Sequence, residues 1–217
     1  MSERAMRTVL RGLGESCVTA GAVVVLFLAY LLWGTAQQAS QHQHAFASQL
    51  QREWGAHRSA RPVAAGLNLV TGKPFAFIRI PQFGATWRFA IVQGTGLPQL
   101  AQGPGHVPGT ALPGQTGNFA VAAHRVTAGN PFYRLNDLRP GDKVMIETAA
   151  ATYTYQVTTT ELVLPDDTAV LDPVPGHPRQ HPSEAMITLI TCDPPWTGTH
   201  RIIVFGTLEA RNTALRP

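Results

Sequence analysis

A cysteine at the end of an apolar run has the clearest capacity for chemistry in this sequence. Cys192 closes the run MITLITC (186–192), and Arg201 opens the next apolar run. The only other cysteine, Cys17, lies in an apolar N-terminal segment. Because exported domains usually pair their thiols or lack them, a solitary thiol near a cationic side chain suggests a nucleophile. The alternative is a buried cysteine that packs as a small hydrophobic residue.

A histidine and an arginine are candidates for the partners that such a nucleophile needs. His124, Cys192 and Arg201 each stand at the end of a predicted strand. An imidazole accepts the proton of a thiol and returns it to a leaving amine. A guanidinium is not a general base, but it orients a peptide or stabilises an oxyanion. Taken singly, each residue has a structural explanation; together, at one rim of a fold, they would form a site for acyl transfer.

No metal-binding or nucleic-acid-binding pattern accompanies these residues. The sequence has no HExxH, no paired CxxC and no EF-hand spacing, so we expect neither a metal nor a cofactor. The net charge is +4, but Arg4, Arg7 and Arg11 cluster at the N-terminus and the other basic residues are scattered. Since no basic stripe alternates with aromatic residues, nucleic acid is not an expected partner.

An apolar stretch near the N-terminus predicts a membrane anchor. Residues 18–33 (VTAGAVVVLFLAYLLW) approach the roughly 20 residues that a transmembrane helix needs. Arginines precede this stretch, so the positive-inside bias predicts a single-pass plasma-membrane protein with a cytoplasmic N-terminus and an extracellular catalytic domain. A cleavable signal peptide is the alternative, because residues 34–36 (GTA) suit a signal peptidase. The stretch is longer than a usual signal core, which favours an uncleaved anchor.

Composition divides the chain into three parts. The cytoplasmic tail and anchor occupy residues 1–36. Residues 37–72 are rich in Gln, Ala and Ser and carry apolar residues at helical spacing, which predicts an extracellular tether or helical stalk. Residues 73–217 contain short β-rich runs separated by Gly and Pro, which predicts a mainly β catalytic domain, either an antiparallel sandwich or a closed barrel.

The predicted elements of this domain are short strands and one short helix. The strands are expected at 75–81, 87–94, 118–124, 142–148, 152–163, 185–192 and 200–210. A short helix is expected at 131–138, before a Pro-Gly pair. Two long connections, 95–117 and 164–184, are expected to form the walls of a substrate groove.

Several motifs together resemble the sortases, the membrane-anchored cysteine transpeptidases of Gram-positive bacteria. TLITC (188–192) is similar to the family motif TLxTC, which ends in the nucleophile, and Arg201 follows it at the family spacing. The segments GPGHVPGTALPGQTGNFAVAAHR (103–125) and PFYRLNDLRPGD (131–142) are most similar to the class E sortases of actinobacteria. The resemblance extends from about Phe75 to Leu208. It implies a closed eight-stranded sortase-type β-barrel with short helices, preceded by one N-terminal transmembrane helix.

The resemblance also implies a reaction and roles for individual residues. A C-terminal sorting signal would be cleaved between Thr and Gly through a thioacyl intermediate on Cys192. The secreted protein that carries the signal would then be transferred to an amine of the peptidoglycan precursor. His124 would be the acid and base, and Arg201 would hold the substrate backbone. The expected substrate-binding residues are Thr191, which helps to form the oxyanion site, Leu189 and Asn118.

Other functions remain open at this stage. Val107 stands where class E sortases commonly carry a tyrosine associated with LAxTG signals, so both LPxTG and LAxTG signals are candidates. A pilus-polymerising sortase and a cysteine protease that only hydrolyses are alternatives, because they use the same residues. A wall-binding module with an incidental thiol is the non-enzymatic reading. The HGxx and SxGCxR patterns of L,D-transpeptidases are absent from the sequence.

Overall fold

The computed structural model describes residues 3–30, 34–59 and 69–213. Its first element is helix α1 (Glu3–Ala29), which includes the apolar stretch Leu10–Ala29 with a mean hydropathy of 1.8. None of that stretch is buried against the rest of the molecule. By length and composition, α1 is a candidate for a membrane span. Residues 31–33 of the predicted span lie outside the described part.

Helix α2 (Thr35–Ser59) occupies most of the segment that was predicted to be a tether or stalk. It lies against the barrel through a small apolar cluster in which Leu50 contacts Phe77 and Ala90. Phe46 and Trp54, at helical spacing from Leu50, pack at the edge of this cluster. This helix therefore uses its apolar side to dock on the strands. Residues 60–68 of the predicted tether lie outside the described residues.

Eight strands form a closed barrel. They are β1 (Pro74–Arg79), β2 (Arg88–Gln93), β3 (Gly105–His106), β4 (Gly117–Ala122), β5 (Lys143–Glu147), β6 (Ala151–Val163), β7 (Ala185–Asp193) and β8 (His200–Thr213). Their order around the barrel is β1-β2-β3-β4-β7-β8-β6-β5, and β5 closes onto β1. Short helical pieces connect them: α3 (Leu97–Leu100) and single 3₁₀ turns at Pro81–Phe83, Leu135–Asp137 and Thr168–Leu171. The predicted closed barrel is confirmed.

The structure adds two features that the sequence did not predict and corrects the helix predicted at 131–138. The sheet is not wholly antiparallel, because β2–β3 and β4–β7 are parallel pairs. Residues 131–138 form turns and one 3₁₀ turn rather than a helix, since the buried Phe132, Leu135 and Leu138 recur at every third position. The connection 95–117 has structure of its own, because it contains α3 and the two-residue strand β3. So short a strand shows no alternation by which the sequence could reveal it.

The barrel interior is filled by alternate residues of the strands. On β4 and its continuation these are Phe119, Val121 and Ala123, and on β7 they are Ile187 and Leu189. Large buried side chains from the facing strands complete this core: Ile78, Ile91, Ile146, Tyr155 and Val204. Because side chains alternate along a strand, the even-numbered residues of β4 and β7 face outward. That outer face carries the candidate site.

Candidate active site

The parallel pairing of β4 and β7 brings the predicted histidine and cysteine to the same rim of the barrel. Beyond the end of β4, the amide of Ala123 donates to the carbonyl of Ile190 (3.1 Å). The hydroxyl of Thr191 donates to the carbonyl of Ala123 (2.9 Å). Continued by two residues beyond Ala122 and Ile190, this register sets His124 beside Cys192, and strand alternation then places both on the outward face.

The β7–β8 hairpin supplies the arginine. Cys192 and Arg201 are directly paired across the two antiparallel strands, so their side chains project on the same face. Nη1 of Arg201 donates to the carbonyl of Gly198 (2.7 Å) in the hairpin loop and to that of His200 (2.9 Å) at the start of β8. These two bonds hold the guanidinium over the loop beside the thiol.

Gly198 lies between the thiol and the guanidinium. A Cβ atom built on this glycine would lie 3.7 Å from Sγ of Cys192 and 3.6 Å from Nη1 of Arg201. Its φ of +60° is in the left-handed region, which glycine adopts without strain. The hairpin can therefore turn tightly, with Gly198 next to both the sulfur and the guanidinium. Cys192 and Arg201 are both partly exposed to solvent.

The environment of His124 favours a neutral imidazole. His124 is half-buried, and desolvation lowers its pKa from the ordinary value of 6.5. The amide of Phe132 donates to the carbonyl of His124 (3.2 Å), which fixes the start of the loop after β4. A neutral imidazole at this position can accept a proton from a nearby thiol.

The three predicted substrate-binding residues are enclosed. Leu189 lies in the barrel core with 0% of its surface exposed, and the hydroxyl of Thr191 is used on the carbonyl of Ala123. The side-chain amide of Asn118 donates to the carbonyls of Val170 (3.0 Å) and Asp172 (3.2 Å). Asn118 therefore fastens the β6–β7 connection to the outside of β4. These side chains support the strands and the wall of the site, and they offer no open surface on which a peptide could lie.

Exposed apolar residues occur in the two segments next to Arg201, the end of β6 and the β7–β8 loop. Val163, at the end of β6, pairs with Arg201, so that end of β6 reaches the same rim. Leu162 and Leu164 flank it and are each 57% exposed, and Trp196 in the β7–β8 loop is 74% exposed. Leu162 pairs with the core residue Ile202, so it and Leu164 project on the face opposite to Arg201. Trp196, in the loop between Cys192 and Arg201, offers apolar surface that suits a peptide with apolar residues. In the described parts of the chain, no three His, Cys, Asp or Glu residues are grouped to hold a metal ion.

Comparison with known proteins identifies the family. The family model named Sortase domain matches residues 78–209, which include the strands that carry His124, Cys192 and Arg201. The chain belongs to the sortase family. Sortases are cysteine transpeptidases, and the β-barrel with a candidate membrane helix before it agrees with that membership.

The relatives of this sortase include class E members. It is 34% identical over 204 residues to Sortase SrtE1 of Streptomyces coelicolor, an alignment covering 90% of this chain and 56% of the relative. It is 30% identical to Sortase SrtE2 of the same organism, with 90% of this chain and 80% of that relative covered. The structure of sortase E from Streptomyces avermitilis has 40% sequence identity and a TM-score of 0.61, covering 68% of this chain and 97% of that structure. The chain thus spans little more than half the length of the first of these relatives.

Two residues at the site were not found by reading the sequence. Arg125 directly follows His124, and Asp193 directly follows Cys192; the two side chains form an ion pair behind the site. The only signal for them was an opposite pair of charges at matching positions after two strands. The two charges can be recognised as a pair only when β4 and β7 are known to be parallel neighbours, which the sequence does not show.

Proposed function

We propose that this sortase cleaves a C-terminal sorting signal of the LPxTG or LAxTG type between Thr and Gly. The secreted protein would be transferred through a thioacyl intermediate on Cys192 to an amine of the peptidoglycan precursor. The observation that carries this proposal is that Cys192 pairs with Arg201 across β7 and β8, while β4, parallel to β7, ends two residues before His124 at the same rim. Membership of the sortase family supports the reaction type.

In the first half of the proposed reaction, the neutral imidazole of His124 takes the proton of the Cys192 thiol. The sulfur attacks the carbonyl carbon of the threonine, a C–S bond forms, and the carbonyl electron pair moves to the oxygen. As the tetrahedral intermediate collapses, the C–N bond to glycine breaks. The leaving amine receives its proton from the imidazolium of His124. The product is a thioester on Cys192 and a free glycine amine.

The second half reverses these steps with a different amine. The acceptor nitrogen attacks the thioester carbon and gives a proton to His124, so a new C–N bond forms. The C–S bond then breaks, and the sulfur recovers its proton from the imidazolium. One amide is exchanged for another, and the reaction consumes no oxidant, reductant or cofactor.

Arg201 is placed to orient the peptide. Its Nη1 is committed to the carbonyls of Gly198 and His200, which fixes the plane of the guanidinium. A guanidinium carries further N–H donors on Nη2 and Nε, and these can reach backbone carbonyls of a peptide lying between Arg201 and Cys192. We assign the exposed Trp196 to contact with the apolar residues of the signal.

The same proposal places the enzyme in the plasma membrane. Helix α1 would span the bilayer once, with the N-terminus in the cytoplasm and the barrel outside the cell. A catalytic domain on that side meets secreted proteins as they emerge and cell-wall precursors as they are displayed. These secreted proteins and the precursor amine are the proposed partners.

The test uses the full chain in detergent micelles with LPxTG and LAxTG peptides and an added amine. Mass spectrometry should find the transpeptidation product and a thioester on Cys192, and Cys192→Ala should abolish both. Cys17→Ala is the matched control, because it removes the other thiol and should leave the yield unchanged. Equal yield with Cys192→Ala would refute the mechanism. Hydrolysis without amine transfer would identify a cysteine protease instead.

A further inference from the structure

A buried ion pair joins the two residues that immediately follow the histidine and the cysteine. Nη1 of Arg125 donates to Oδ1 of Asp193, with 10% of the arginine side chain and 25% of the aspartate side chain exposed. Asp193, the last residue of β7, turns away from the outward face on which Cys192 lies, and Arg125 reaches it from the loop after β4. The ion pair therefore sits directly behind the candidate site.

Arg125 makes further contacts that tie it to the cysteine. Its Nη1 also donates to the main-chain carbonyl of Cys192 (3.3 Å), and its Nη2 donates to Oδ1 of Asn136 (3.2 Å). One guanidinium thus contacts the backbone of Cys192, the side chain of Asp193 and the turn that packs behind the loop after β4. Its Nε is buried without a hydrogen-bond partner in the described structure. A charged group held in this way, at the cost of an unpaired donor, is tightly fixed in position.

The regular strand pairing ends before it reaches the histidine. The β4 ladder closes at Ala122, and the last main-chain bond between the two segments is that of Ala123 with Ile190. Beyond Ala123, the guanidinium of Arg125 connects the two segments through its hydrogen bonds to the carbonyl of Cys192 and the carboxylate of Asp193. The ion pair therefore lies where it can influence the relative position of the imidazole and the thiol.

We propose that Arg125 is a positioning residue, whose ion pair with Asp193 holds His124 at the distance from Cys192 that proton transfer requires. The proposal rests on the proposed function, because it assumes that His124 activates Cys192. A shift of one ångström between a base and its nucleophile lowers the rate strongly without removing either group. Arg125 would therefore affect turnover more than peptide binding.

The test measures how fast iodoacetamide alkylates Cys192 at neutral pH in the full chain, with Cys17→Ala as the background so that one thiol remains. Loss of the base in His124→Ala should slow alkylation by about tenfold. Arg125→Gln should slow it nearly as much, and Arg125→Lys, which keeps the charge, should recover part of the rate. The double variant His124→Ala/Arg125→Gln should be no slower than His124→Ala alone, because a displaced base and a missing base have the same effect.

Peptide turnover gives the second measurement. Arg125→Gln should lower kcat about tenfold while KM stays within about twofold of the original value. Lys143→Gln is the matched control, because it breaks the exposed pair of Lys143 with Glu209 (3.1 Å) on the far side of the barrel, and it should change neither quantity. If Arg125→Gln does not fold, as judged by near-ultraviolet circular dichroism, the isosteric Asp193→Asn takes its place with the same expected pattern.

The outcomes separate the two proposals. Alkylation at the original rate in Arg125→Gln, or a double variant clearly slower than either single variant, would overturn the positioning role and leave the proposed function intact. An additive loss of that kind would mean that Arg125 acts on the thiol by charge alone. If His124→Ala changes neither alkylation nor transpeptidation, the proposed function itself fails and the positioning role fails with it.

Discussion

At the scale of single residues, the environment of His124 determines the pH range in which its imidazole can accept a proton. Desolvation lowers the pKa of His124 from 6.5, so the ring stays neutral at pH values where an exposed histidine is already partly protonated. Above its lowered pKa the ring is a base; below it the ring carries a proton and cannot take another. We expect kcat/KM for a signal peptide to fall on acidification with a midpoint below about pH 6.5.

A pH profile of peptide cleavage, measured from about pH 4.5 to 8, checks this expectation. His200→Gln is the control, because His200 also lies at this rim, at the start of β8, without a place in the proposed proton transfer. Its acid limb should coincide with that of the unaltered enzyme. A midpoint above pH 6.5, or an acid limb that disappears in His200→Gln, would assign the titration to another group.

The burial of a second histidine, His106, makes the stability of the fold depend on pH. His106 is 1% exposed, its ring stacks on Phe119, and its Nδ1 lies 2.7 Å from Oε1 of Gln93. Desolvation is the largest cause of its lowered pKa. Below about pH 6.5 the unfolded chain therefore binds a proton more strongly than the native state does, and stability falls as the pH falls. Above that range this contribution to stability is fully present.

Urea unfolding at about pH 7.5 and 5.5 measures this effect. The midpoint for the unaltered protein should be lower at the acid pH. His106→Asn should be less stable at both pH values, because it loses the ring contacts, but it should lose less on acidification. An equal loss in the variant would show that His106 does not carry the pH dependence.

At the scale of elements, a side chain of helix α2 binds main-chain groups of β2 that no neighbouring strand pairs. β3 pairs with β2 only at Val92 and Gln93, so the main chain of Ala90 has no strand on that side. The side chain of Gln43 on α2 takes that place: its Oε1 accepts from the amide of Ala90 (2.6 Å), and its Nε2 donates to the carbonyl (3.2 Å). A Cβ on Gly103 would lie 2.2 Å from that Nε2, so a glycine is needed where the side chain passes.

Removal of this side chain should destabilise the protein. Gln43→Ala leaves the amide and the carbonyl of the buried Ala90 without partners, at a cost of about 1–3 kcal/mol. Gln49→Ala is the control on the same helix, because its amide contacts Glu53 at the surface, and it should change stability by less than about 0.5 kcal/mol. Chemical denaturation of both variants gives the comparison. Equal effects would mean that Gln43 does not serve as a strand partner.

The elements also show how far the sequence could predict the site. The alternation of apolar residues predicted most strands of the barrel. From these strands it also predicted that His124, Cys192 and Arg201 stand at strand ends. The parallel neighbours β4 and β7 could not be read from alternation, because side-chain period is the same in parallel and antiparallel strands. For that reason the roles of Arg125 and Asp193 were missed. The contacts of Asn118 could not be predicted for a similar reason, since only the folded connection shows what covers it.

At the scale of the whole molecule, α2 follows the candidate membrane span α1 in the chain and packs against the loop after the histidine. Ala39 of α2 is 1% exposed and lies against Gly129 in the loop between His124 and Phe132. Further along, Leu50 covers Phe77, which is 2% exposed. The helix that follows the candidate membrane span is therefore part of the packing of the catalytic barrel.

Two truncations test whether the barrel depends on α2. A protein that begins at residue 34 keeps the helix, whereas one that begins at residue 69 loses it and uncovers Phe77 and the edge of β2. Each large side chain left uncovered costs about 1.5–3 kcal/mol. We therefore expect the shorter protein to melt at least about 5 °C lower. Peptide cleavage should also fall in the shorter protein at temperatures where it is fully folded, because the loop after β4 has lost its contact with Ala39. The protein that begins at residue 34 is the control and should match the full chain in detergent. Equal melting temperatures and equal turnover for the two truncations would show that α2 only spaces the barrel from the membrane.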